Sequence, residues 1–113
     1  MNEAPGAATP TDIELERAGR RLRFVWADAR RSDYDWEYLR WRCPCATCSG
    51  EGEFPGTLKD RTSLNPNEIE MVDVELVGRY AVRPTWADGH DTGIFTFRNL
   101  RAMAEQDGLV RSA

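Results

Sequence analysis

From Thr11 onward, apolar and polar positions alternate over much of the chain, the two-residue period of half-buried strands. Ile13 and Leu15 alternate with acids, Ala18-Gly19 offers a turn, and Leu22, Phe24 and Trp26 alternate with Arg21, Arg23 and Val25. The pattern predicts a hairpin with one buried face. Asp28-Ala29 is a second turn, followed by a short strand around residues 32–34. Asp35 can then cap a short helix carrying Trp36 and Leu39 on one side. The alternation lapses between Cys43 and about Asn67, a stretch broken by Gly50, Gly52, Pro55, Gly56 and Pro66. A loop of that length in so small a chain is expected to be functional, or pinned by something other than a core.

The strand pattern resumes at Val72, Val74 and Leu76, which alternate with Asp73 and Glu75. Gly78 makes the turn, and Tyr80, Val82 and Trp86 share one face of the next strand. Pro84 predicts an edge position or a bulge there. Asp88-Gly89 predicts a type I′ hairpin turn and a return strand over residues 90–95. Thr96 can cap a final helix holding Phe97, Leu100 and Met103, with Gly108 as its stop.

The two halves echo each other. Trp26-Ala27-Asp28 recurs as Trp86-Ala87-Asp88, and each half closes with a helix ending in Leu-Arg, Leu39-Arg40 and Leu100-Arg101. The expected fold is therefore α+β: two β-β-β-α halves, mainly antiparallel sheet with short helices packed on it. Under that alignment Arg30 occupies the place of His90. Residues 1–10, small and proline-containing, are expected to form a disordered leader, 11–107 a single domain and 108–113 a tail.

Composition narrows the function more than the fold. Of 113 residues, three are cysteine and one is histidine. An odd cysteine count cannot pair off internally, and a C-x-C step is a poor disulfide, so reduced thiols in the cytoplasm are expected. The net charge of −4 argues against a nucleic-acid partner. No apolar run is long enough to span a membrane, and the N-terminus has no signal-peptide pattern.

The run Cys43-Pro44-Cys45-Ala46-Thr47-Cys48 has the spacing of a metal-binding turn, and His90, just past a hairpin tip, can complete a Cys3His shell. Zn2+ is the expected ion, with a [2Fe–2S] cluster as the alternative, since spacing alone does not separate them. Asp88 or Asp91 could hold the second imidazole nitrogen, although Asp88 reads more simply as a turn former. Catalysis is not expected: there is no H-E-x-x-H and no second histidine, and Ser-His-Asp or Cys-His chemistry would need His90 itself. Thiol redox chemistry at the C-x-C step is the third reading.

The segments Leu22-Arg-Phe-Val-Trp-Ala-Asp28, Trp36-Glu-Tyr-Leu-Arg40, the cysteine run and Trp86-Ala-Asp-Gly-His-Asp-Thr-Gly-Ile-Phe95 together resemble the γ-butyrobetaine-hydroxylase-like N-terminal domain, DUF971. The resemblance covers residues 11–103. In the carnitine-synthesis hydroxylases this module precedes the oxygenase domain and binds zinc through three cysteines and a histidine, which match Cys43, Cys45, Cys48 and His90. An oxygenase iron site needs two histidines and a carboxylate, so the resemblance does not extend to the hydroxylase activity. Fusion of the family to P-loop iron–sulfur carriers implies the cluster-related alternative. Ala29 and the loop after Cys48 depart from the pattern of many members. The function expected is a structural or protein-interaction zinc module that binds a protein partner or itself, with Trp41 and Phe54 as contact residues.

Overall fold

The structure is a computed structural model and describes residues 8–45, 48, 50, 56, 58, 59 and 61–113. Phe54, expected as a contact residue, lies outside them, as do residues 1–7 of the expected leader. The elements run β1 (Pro10–Glu16), β2 (Arg21–Trp26), β3 (Arg30–Asp35), α1 (Trp36–Trp41), a 3-10 turn (Pro66–Glu68), β4 (Met71–Val77), β5 (Ala81–Trp86), β6 (Phe95–Thr96), α2 (Phe97–Asp107) and β7 (Val110–Ser112). The α+β fold read from the sequence is the one observed. Two antiparallel sheets form, ordered β1-β2-β3-β7 and β4-β5-β6.

The chain divides into two compact units, one of residues 1–35 with 96–113 and one of residues 36–95. In the first, Leu22, Phe24 and Trp26 of β2 are buried, as the alternation predicted. Phe24 stacks on Trp26, and its ring meets Tyr34 and Phe97 edge-on. A buried relay satisfies the polar atoms among these rings: Trp26 Nε1–H donates to Ser32 Oγ (2.9 Å), Ser32 to Tyr34 Oη (2.9 Å), and Tyr34 to the Leu100 carbonyl (2.7 Å). Helix α2 starts where Thr96 Oγ1 accepts the Asn99 N–H and stops at Gly108, whose φ of 71° supplies the left-handed cap. Strand β7, in the segment expected as a tail, pairs with β3 from Arg30↔Ser112 to Ser32↔Val110. Three residues were too short a run to show a period.

In the second unit Met71, Val82, Trp86, Phe95, Trp36 and Leu39 are buried. The apolar side of β4 is not: Leu76 is 64% exposed and Val72 40%. Strand β5 lies in the middle of the sheet order, with Pro84 buried opposite Val74, so Pro84 is not on an outer strand. Strand β6 has only two residues, which leaves most of β5 laddered on one side and makes room for a residue without an N–H.

The repeat extends to the irregularities. Each unit's first strand slips register at its start, between Pro10 and Asp12 in β1 and between Met71 and Asp73 in β4. Each Trp-Ala-Asp turn closes alike: Ala29 N–H donates to Trp26 O (3.1 Å) and Gly89 N–H to Trp86 O (2.9 Å). Positive φ falls on the residue after the aspartate alone, Ala29 at 65° and Gly89 at 90°. The Asp88-Gly89 turn is therefore not type I′. The pattern is a type I turn with one left-handed residue behind it.

The helices, however, are exchanged. Asp28, in the first turn, is gripped by Arg101 of the last helix (NH1–Oδ1 3.2 Å, NH2–Oδ2 2.8 Å). Asp88, in the second turn, is gripped by Arg40 of the first helix (3.2 and 3.1 Å). Each guanidinium also lies over the tryptophan of the same turn, 5.7 Å from Trp26 and 5.4 Å from Trp86. The β-β-β-α order is present twice in sequence, but each strand trio is closed by the other half's helix. Both pairs are largely buried, and breaking such a pair by removing one partner costs about 3–5 kcal/mol.

Candidate metal centre

Helix α1 delivers the first candidate ligand, Cys43. Arg42 N–H and Cys43 N–H continue the helical bonding to Leu39 O (3.0 Å) and Arg40 O (3.2 Å), and Pro44, which cannot extend it, turns the chain away. Cys48 N–H then donates to Cys45 Sγ at 3.4 Å, closing the small loop that turns both sulfurs inward. His90 comes from the far side of the Trp86-Ala87-Asp88-Gly89 turn, held by its own carbonyl accepting from Trp86 N–H (3.0 Å) and its N–H donating to Asp88 Oδ1 (3.1 Å). Asp88 thus serves the backbone of His90 and not its imidazole.

The four predicted ligands converge. His90 Nε2 lies 3.3 Å from Cys43 Sγ, 3.5 Å from Cys45 Sγ and 3.4 Å from Cys48 Sγ. All four ligand atoms lie within 4.8 Å of one another. Cys43 and Cys48 are buried, and Cys45 is half-buried. Donors of that type, converging from two segments on one point, can hold a metal ion.

The sequence profile described as gamma-butyrobetaine hydroxylase-like, N-terminal, matches residues 13–101. The chain belongs to that family. A similar structure is the 1.93 Å crystal structure of a DUF971 protein of unknown function from Acidithiobacillus ferrooxidans ATCC 23270. It is 31% identical, with a TM-score of 0.63 over 88% of this chain and 97% of that one. Two NMR solution structures are 28% identical, with TM-scores of 0.61 and 0.62 over 88% and 94% of this chain and 75% and 77% of theirs. Comparison with curated proteins gave no match.

Three residues of this gamma-butyrobetaine hydroxylase-like domain support the ligands without having been singled out from sequence. Gly93 is buried, and a Cβ there would lie 2.5 Å from Cys43 Sγ. Thr92 hydrogen-bonds Cys45, and Arg40 carries the grip on Asp88. Residues 90–94 are not the predicted return strand: His90 O accepts from Trp86 N–H and Gly93 packs on the Cys43 sulfur. Only Phe95 and Thr96 pair as β6.

The thiols are unequal. Burial pushes Cys43 up, and it also raises Cys48 against the pull of the Arg40 charge. Burial would raise Cys45 too, but the hydrogen bonds from Thr92 and Cys48 outweigh it and bring the thiol to about 6. A metal at this centre would first meet a thiolate at Cys45 and must displace protons from the other two.

Proposed function

We propose that this chain is a non-catalytic zinc module in which Cys43, Cys45, Cys48 and His90 hold one Zn2+ as a closed structural centre, and that it works through protein–protein contact or self-association. The observation that carries the reading is the convergence of four ligand atoms. Tetrahedral zinc, with Zn–S of about 2.3 Å and Zn–N of about 2.0–2.1 Å, sets sulfur–nitrogen edges near ~3.5 Å. The sulfur–nitrogen separations here run from 3.3 to 3.5 Å. A two-iron cluster divides its four protein ligands between two irons and holds the pairs further apart than a single ion does. Four atoms within 4.8 Å suit the single ion better.

With three thiolates and an imidazole filling the shell, no position is left for the water that a catalytic zinc carries. What the ion supplies is a cross-link between the cysteine loop and the hairpin turn 47 residues beyond Cys43. Exposed Leu76 and Tyr80, at 64% and 55%, and the half-buried Trp41 support a contact role. A net charge of −4 supports a protein rather than a nucleic-acid partner. No described helix is long and apolar enough to cross a membrane, and free thiols suit a reducing compartment such as the cytoplasm.

The test is elemental analysis of protein purified without added metal, alongside its visible spectrum. One zinc per colourless chain is expected, and His90→Ala should lose most of it. Stoichiometric iron with sulfide in a brown, anaerobically prepared protein would replace zinc with the cluster.

A further inference from the structure

Two buried arginine–aspartate pairs hold the two Trp-Ala-Asp turns in near-identical geometry, yet only one of them adjoins the ligand cluster. In the first unit Arg101 clasps Asp28, and the residue whose N–H that carboxylate also accepts is Arg30. In the second Arg40 clasps Asp88, and the residue in that place is His90. The fold therefore uses the same clasp once without a metal ligand and once with one.

We infer that the Arg40–Asp88 pair is a positioning device for the metal ligands, holding the cysteine loop and His90 in register whether or not metal is bound; the inference rests on the zinc reading above. Arg40 reaches both sides of the shell. Its backbone carbonyl accepts the Cys43 N–H at 3.2 Å. Its guanidinium holds the carboxylate whose Oδ1 also takes the His90 N–H at 3.1 Å. The guanidinium is itself fixed: NH1 donates to Glu68 O at 2.8 Å, the plane lies over Trp86, and the side chain is 6% exposed. Bringing together ligands 47 residues apart in sequence has an entropic cost that the metal would otherwise meet alone. A clasp already closed at that point meets part of it in advance, which is preorganisation in the sense used for any binding site.

The repeat supplies its own control, because a clasp that is merely structural behaves alike in both units. Zinc affinity of the full chain would be measured by competition with a chromophoric chelator at neutral pH, and the stability of the metal-free, reduced protein by urea unfolding. Asp88→Asn is expected to lose about 10–100-fold in zinc affinity, the range for a disturbed outer-shell partner. Arg40→Lys keeps the charge but not the two-pronged grip, and should lose affinity in the same direction. Asp28→Asn and Arg101→Lys should lower metal-free stability comparably yet stay within about twofold of wild type in affinity, as expected for sites that share no partners. Equal affinity losses at the two clasps, or none at Asp88, would overturn the inference. If Asp88→Asn is unfolded without metal, Arg40→Lys decides. A wild-type chain that binds no zinc would instead sink the zinc reading itself, a result distinct from either.

Discussion

At Gly93 a hydrogen atom is all that fits between the backbone and the Cys43 sulfur, since a methyl group would stand 2.5 Å from Sγ. Cys43 is 2% exposed, so the sulfur sits in buried surroundings at this contact. Gly93→Ala should therefore weaken zinc affinity about tenfold or more, read by chelator competition, and an unchanged value would mean the loop yields more easily than its packing implies. Ala29 shows the opposite mismatch. It holds a φ of 65° in the turn where its counterpart Gly89 does so freely. A left-handed alanine costs about 1–2 kcal/mol, and glycine returns about 0.5–1 of that as unfolded-chain entropy. Ala29→Gly is expected to raise stability by about 0.5–1 kcal/mol in urea unfolding; a loss would show that the turn relaxes around alanine.

The 3-10 turn Pro66–Glu68 ends the long loop and feeds β4. Its Glu68 carboxylate takes both Arg61 nitrogens, at 2.6 and 2.7 Å, and the Asn65 N–H at 2.7 Å. The Arg61 hydrogen bonds, chiefly, bring Glu68 from 4.5 to about 2. A carboxyl lowered on folding stabilises fully above its unfolded value and ceases to do so as pH falls through its folded one. Stability of the metal-free protein should thus decline between pH 4.5 and about 2, and Glu68→Gln should flatten that decline. Asp28 and Asp88 are lowered as well, with Asp28 held mainly by Arg101 and Asp88 by Arg40 against the cost of its burial. They add to the same slope, so a profile identical to wild type in the Glu68 variant would assign the whole decline to them.

For the molecule as a whole, much was legible from local pattern because the pattern is itself local physics. Strands β1 to β5 and both helices follow from alternation, turn residues and caps, and the Cys3His cluster follows from there being one histidine to join three clustered thiols. The exchange of helices was not legible. Both halves offer the same Leu-Arg and the same Trp-Ala-Asp, so Arg40 has two equivalent aspartates to choose between, and periodicity says nothing of which it takes. Residues 90–94 depart from the predicted strand for a related reason: Gly93 packs on the sulfur of Cys43, 50 positions earlier, which local alternation does not reveal. The exchange also governs the order of events while the chain is being made. The second unit is continuous from residue 36 to 95, but the first must await α2 and β7, which follow the second unit in the chain. On the ribosome, β1 to β3 emerge before the second unit and are finished after it. Their aromatic face stays uncovered until residues 97–107 have cleared the exit tunnel, so a nascent chain stalled just short of them would carry a complete second unit with its Cys3His cluster and an unfinished, adhesive first one.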